Sequence, residues 1–321
     1  MTTFKEIRGT AVQSVSSDPS NPETGQIWYN NSIGVLKGYQ SIGGAWASGG
    51  NMGTARYQLA GAGTQTAGLG FGGYTTTQVN ATEEYDGSTW AVGGNLSTAR
   101  YALGGAGTQT VGLGFGGFDG TVNTNVTEEY GGTSWTGGGN LGTARRALAG
   151  AGTQTAGLGF GGRTTVQVAN TEEYDGSTWT AGGSVSTARR ALGGAGTQTA
   201  GLAFGGLTTV VTTATEEYDG STWTAGGSLT TARRYIAGCG TQTAGLAFGG
   251  DTGAVSAVTE EYDGSAWTAG GSLSTARLGL AGSGIQTSGL GFGGKTTVVV
   301  ATTEEYTDPT FAVRTITTST S

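Results

Sequence analysis

The chain has 321 residues, a net charge of −7 and a pI near 4.7, so a nucleic-acid backbone is not its expected partner. It contains 66 Gly without a Gly-X-Y period and only three Pro, which excludes collagen. The absence of His removes the commonest general base and metal ligand, and the single Cys excludes an internal disulfide.

The first 45 residues are a leader. The opening MTTFKEIRGTAVQ lacks the apolar stretch of a secretory signal, and no later run is long enough to cross a bilayer. Ser17-Asp18-Pro19-Ser20-Asn21-Pro22 is polar and turn-rich. Gln26–Asn30 reads as a strand, Asn31–Gly34 as a turn and Val35–Tyr39 as the return strand, a small β-hairpin. The run from Asn21 to Asn30 resembles leader segments of bacteriophage tail-fibre and other virion proteins, as does the step from Leu36-Lys37 into Gly43-Gly44-Ala45-Trp46. The resemblance implies a virion component on the particle surface, joined through its leader to other virion proteins.

From Trp46 onward the chain repeats. Phe-Gly-Gly begins at Phe71, Phe115, Phe160, Phe204, Phe248 and Phe292, in steps of 44 or 45 residues. Thr-Ala-Arg ends at Arg56, Arg100, Arg145, Arg189, Arg233 and Arg277. Glu-Glu-Tyr ends at Tyr85, Tyr130, Tyr174, Tyr218, Tyr262 and Tyr306; a Trp follows five residues after each of the first five.

Residues 145–183 display one unit. Arg145–Gly150 reads as a first strand, Gly152–Thr155 as a turn and Ala156–Phe160 as a second strand stopped by Gly161-Gly162. Val168–Tyr174 reads as a third, and Asp175-Gly176 as a hairpin turn into a fourth that carries Trp179. In Gly157-Leu158-Gly159-Phe160 the bulky side chains share one face and the glycines the other, so one sheet can nest on its copy. Small residues near an axis and Trp at the rim suit radial packing. The expected fold is all-β: a six-bladed β-propeller of four-stranded antiparallel blades over residues 46–311, with a leader at 1–45 and a tail at 312–321.

The di-glycine after an apolar strand, the spaced Tyr and Trp and the Arg opening each unit resemble the Kelch repeat over residues 46–311. This chain is richer in Gly and Thr and has a tighter Tyr–Trp spacing. Kelch propellers serve unrelated functions, so the resemblance implies fold more than activity. Seven outer strands compete for six places, because Phe311 also sits five residues after Tyr306. Pro309 makes the segment around Phe311 the poorer strand. The strand around Ala45–Ser48 is therefore expected to pair with Val299–Tyr306, and the tail to run elsewhere, to the leader or a partner.

Neighbouring strand residues face opposite ways, so the two acids of each Glu-Glu do not converge for acid–base work. One Glu of each pair is expected to meet an Arg of the series Arg56 to Arg277 in a partly exposed ion pair, and the other to face solvent. Tyr-Asp-Gly-Ser-Thr-Trp is near the Asp-box turn of sialidases, but Asp175 and Gly176 are adjacent with no residue between, and six equivalent arginines make no asymmetric catalytic cluster. A copper oxidase would need His ligands. The Gly-rich runs lack the Lys and following helix of a phosphate loop, and Cys239 reads as a small buried residue.

A recognition site should break the repeat. The residue after each Phe-Gly-Gly does so, at Tyr74, Phe118, Arg163, Leu207, Asp251 and Lys295, and Phe118-Asp119-Gly120 is the most distinctive loop. Tyr57, Tyr101, Arg146, Arg190, Arg234 and Leu278 vary directly after the repeated Arg. The competing reading is a set of drifting solvated loops. The leading expectation is a non-enzymatic phage virion protein, of tail-fibre or appendage type, with no cofactor or metal, that presents the propeller for host-surface binding or particle decoration, a host-surface glycan being one candidate partner. The alternatives are a secreted or host-encoded carbohydrate-binding propeller without a virion role and, more weakly, a glycan-cleaving enzyme on a six-bladed propeller. Homo-oligomerisation stays open.

Overall fold

A computed structural model describes residues 12–22, 26–40, 44–308 and 312–316. The chain divides into two compact units, Ala45–Thr307 and the segments that flank it on either side.

The larger unit is a six-bladed β-propeller. Its first blade holds Ala60–Gly63, Gly68–Phe71, Thr82–Tyr85 and Trp90–Val92 in antiparallel order. Gly68 faces Tyr85 and Phe71 faces Thr82, a register that every blade repeats. Each second strand ends because two glycines follow with φ near +63° and +105°, a backbone that side chains resist. In the last blade the outer strand is Ala45–Ser48, with Trp46 opposite Tyr306. The chain start thus closes the seam; the segment 309–311, with Phe311, lies outside the described residues.

The blades pack as the alternation demands. The Leu69 and Phe71 face of blade one meets the bare Gly112 and Gly114 of blade two. Each outer Trp lies 4.8–5.0 Å from a Phe of the preceding blade, as Trp135 does from Phe71. Along the axis the first strands approach so closely that a Cβ on Gly150 would sit 2.5 Å from the Gly105 carbonyl oxygen.

The unit differs from the sequence reading at its first strand, which runs Ala149–Gly152 rather than from Arg145. Residues before it turn through the left-handed region at Gln58, Ala102, Ala147, Ala191, Tyr235 and Gly279. Their backbones form a closed ring: each N–H donates to the carbonyl of its counterpart in the preceding blade, from Gln58 to Gly279 and round to Gly279 to Tyr235, at 2.6–2.9 Å. The third strand is also shorter than expected, Thr171–Tyr174 in blade three and Thr303–Thr307 in blade six.

The flanking unit is a four-stranded sheet rather than a bare hairpin. Ile27–Asn30 and Val35–Gln40 form the hairpin; Gln13–Val15 adds in parallel and Ala312–Thr315 pairs antiparallel with Val35–Gln40. The tail thus runs to the leader. These added strands are short and lie far apart in sequence, which hid them. Asp18 ties the sheet by accepting from Lys37 Nζ at 2.6 Å, Asn30 Nδ2 at 2.8 Å and Trp28 Nε1 at 3.1 Å. Those hydrogen bonds, led by that from Lys37, hold its carboxyl down at about 2. Residues 23–25 of the virion-like run lie outside the described residues.

Candidate functional site

The repeated charges are scaffold. Each of the six arginines is 0–1% exposed and meets the first Glu of its blade, as Arg233 meets Glu260 at 2.7 Å. The guanidinium also holds backbone: Arg56 donates to the carbonyls of Gly70, Gly72 and Ala81. Burial pulls Arg56, Arg100 and Arg277 down to about 10, with the facing Glu opposing it, so all stay protonated at neutral pH. The pairs are buried rather than partly exposed: each guanidinium lies among backbone carbonyls of its own blade, as Arg56 does. Desolvation then offsets much of their attraction, and their Nε–H groups have no partner among the described residues.

The second Glu does not face open solvent. Glu305 accepts from Tyr85 Oη of the next blade at 2.5 Å, and the same contact recurs from Tyr130 to Glu84 round to Tyr306 and Glu261. Burial, then this carboxylate, pushes Tyr85, Tyr130, Tyr174, Tyr218 and Tyr262 up to about 12. Two further latches cross each interface. Trp90 Nε1 donates to Thr303 Oγ1, and Gln109 Nε2 donates to the Gly68 and Tyr85 carbonyls, with counterparts in every blade. The Gln of the Gly-Thr-Gln-Thr turn is thus a structural residue that sequence reading missed, although its invariance in six copies was visible.

The positions that break the repeat come together. Each residue after Thr-Ala-Arg bridges the residue after Phe-Gly-Gly in its own blade: Tyr57 with Tyr74, Tyr101 with Phe118, Arg146 with Arg163, Arg190 with Leu207, Arg234 with Asp251 and Leu278 with Lys295. Successive pairs also meet across blades. Tyr74 lies 5.2 Å from Tyr101, the Arg146 guanidinium 4.3 Å above the Phe118 ring, and Lys295 Nζ 5.5 Å from the Tyr57 ring. The twelve side chains form a belt around the left-handed ring. Four consecutive aromatics, Tyr57, Tyr74, Tyr101 and Phe118, occupy one arc, and Arg146, Arg163, Arg190 and Arg234 dominate the next.

Charge separates between the two ends. Between Ala45 and Thr307 the chain carries eleven Lys and Arg; six are the buried arginines, and the other five are Arg146, Arg163, Arg190, Arg234 and Lys295, all in the belt. The opposite end carries the hairpin turns that start at Asp86, Asp175, Asp219 and Asp263. Each carboxylate accepts the N–H groups two and three residues on, as Asp175 does from Ser177 and Thr178, which holds it low. Outside the belt, the loop tips expose Val122, Val166, Val210 and Val298, each more than half accessible.

The belt is uneven. Leu207 and Asp251 are both buried, the latter paired with Arg234 Nε at 2.8 Å. Asp119 caps its own loop, accepting from the Thr121 and Val122 N–H groups at 2.8 Å. Those two bonds hold its carboxyl low. Phe118 and Arg163 instead line an open depression of ≈ 450 Å³, with Asn123, Arg146 and Thr164. Its Phe118–Asn123 loop carries the extra residue behind the one long step, since Phe118 bridges Asn123 where Tyr74 bridges Gln78.

Cys239 is buried, with its thiol pushed up to about 12 by burial, which leaves it unreactive. Among the described residues no group of three His, Cys, Asp or Glu could hold a metal ion, and no helix is long and apolar enough to cross a membrane. Compared with protein-family models and with curated proteins, the chain matches none.

Proposed function

We propose that this chain is a non-enzymatic recognition module of a phage virion, of tail-fibre or appendage type, whose belt end meets the host surface. One observation carries the recognition reading. The aromatic arc, the five cations outside the buried pairs and four loop-tip valines gather at one end of a scaffold that is otherwise repeated six-fold. Interfaces favour aromatic and Arg side chains over a scatter of Lys and Glu. Every Glu-Glu acid, by contrast, is tied to an Arg or a Tyr, which leaves no convergent pair for hydrolysis. The virion assignment rests on the leader's resemblance to tail-fibre leaders, and it makes the small sheet the attachment to other virion proteins.

Mass spectrometry of purified particles tests the location, and competition by the free chain for particle adsorption tests recognition. The chain should be found in particles and should slow adsorption. Its absence from particles removes the virion assignment; adsorption unaffected by saturating free chain removes the recognition assignment.

A further inference from the structure

The depression between blades two and three has the composition of a small-ligand site. It is open to solvent and measures ≈ 450 Å³. On one wall Phe118 offers an aromatic ring, with Arg146 stacked over it at 4.3 Å. Contact with the ring holds the guanidinium beside the depression. On the other wall Arg163 donates from Nε to the Thr165 carbonyl, so its terminal nitrogens remain. Neither arginine meets a carboxylate among the described residues, whereas Arg234 in the same belt is neutralised by Asp251.

The site is also held in shape. Gln78 Nε2 donates to the Asp119 carbonyl at 2.7 Å, Asn123 Nδ2 to the Arg163 and Thr164 carbonyls at 3.2 and 3.0 Å, and Gln167 Nε2 to the Thr208 carbonyl at 2.6 Å. These amides latch the loops of blades one to four in series. In blades four to six the same position is Val211, Val255 or Val299, which can make no such bond. The latched part of the belt therefore contains the depression, and a loop fixed in advance loses less freedom on binding.

We propose that this depression binds a carboxylated saccharide unit, with Arg146 and Arg163 pairing its carboxylate and the exposed Val122 offering an apolar contact to the ring. The proposal rests on the recognition reading above and gives it a ligand class. Paired guanidinium forks match a planar carboxylate, and an exposed aliphatic side chain suits the C–H face of a pyranose. A nucleic acid would need a longer run of phosphate contacts than two arginines in one depression supply, on a chain that is acidic overall.

The test uses the whole chain and calorimetric titration with a galacturonate oligosaccharide, a glucuronate oligosaccharide, the methyl ester of each and a single-stranded oligonucleotide. At least one acidic saccharide should bind and its ester should not. Arg146→Gln and Arg163→Gln should each weaken binding about ten- to a hundredfold, the worth of a charged hydrogen bond. Arg190→Gln removes the same charge from the belt outside the depression and should change it less than about threefold. Thermal melts of the variants should match the parent, because neither arginine is buried. Equal binding of acid and ester, tighter binding of the oligonucleotide, equal losses from all three variants, or no binding of either acid overturns the proposal. If the double variant still competes for particle adsorption, this ligand assignment falls while the recognition module stands.

Discussion

Trp46→Ala tests how the ring is closed. The indole lies 4.8 Å from Phe248 of the preceding blade and 5.1 Å from Tyr306 of its own, and its Nε1 donates to Thr259 Oγ1 at 2.9 Å. Trp223 repeats these contacts with Phe160, Tyr218 and Thr171. Truncating a buried aromatic residue costs about 3–5 kcal/mol; these indoles are partly buried, so about 2–4 kcal/mol is expected for either. The strands differ in tethering. A tight turn after Tyr218 ties Trp223–Ala225 to its blade, whereas Ala45–Ser48 is held to blade six only by pairing and packing. Losing Trp46 should therefore also loosen the seam and bare the edge of Thr303–Thr307. Urea unfolding followed by far-ultraviolet circular dichroism, with limited proteolysis, reads both effects. Trp46→Ala should cost at least as much as Trp223→Ala and should open cleavage near 49–53. A cost below about 1 kcal/mol, beside a full loss for Trp223→Ala, would refute the closure.

Other consequences follow from the same contacts. Glu260→Gln leaves the Arg233 guanidinium buried without its counter-charge and should cost about 3–5 kcal/mol in urea unfolding, and the double variant Arg233→Met/Glu260→Leu should not recover it, because it also strands the Gly249 and Val258 carbonyls and the Thr230 N–H. Gly150→Ala puts a Cβ 2.5 Å from the Gly105 carbonyl oxygen and should cost about 1–3 kcal/mol. Gly159→Ala should stay within about 1 kcal/mol, because Ala203 and Ala247 already occupy its place in blades four and five. In pH titrations of stability, the tyrosines raised from 10.0 to about 12 contribute fully below pH 10, and that contribution is lost as pH rises towards 12. Asp86, Asp175 and Asp219 are lowered from 3.8 to about 2, so their contribution is present above pH 4 and lost as pH falls towards 2.

Much of the scaffold was legible because it is local. Di-glycine stops, Asp-Gly turns and the Leu–Phe alternation define strands and their nesting within a few residues, and Trp46 announced the closing strand by matching the other five. What stayed hidden depends on neighbours a whole unit away. The partner of Glu84 is Tyr130, 46 residues on in the next blade, so nothing near Glu84 marks it as bound. The left-handed turns at Ala102, Ala147 and Ala191 lack any local signal, since Ala is not a residue that seeks positive φ; the closed ring of hydrogen bonds imposes them. For the belt, both sets of varied positions were visible, but their union needed the bridge between residues 17 apart. The single 45-residue step pointed to the Phe118 loop from the sequence alone.

The most direct test of a recognition face sets one end of the propeller against the other. Free chain carrying Arg146→Gln, Arg163→Gln, Arg190→Gln and Lys295→Gln is compared with free chain carrying Asp86→Asn, Asp175→Asn, Asp219→Asn and Asp263→Asn, as competitors of particle adsorption. Each set changes four charges, and Asn can still cap the turns. The belt variant should lose competition while the turn variant competes like the parent. Competition that survives the belt changes, or is lost with the turn changes, would contradict the account.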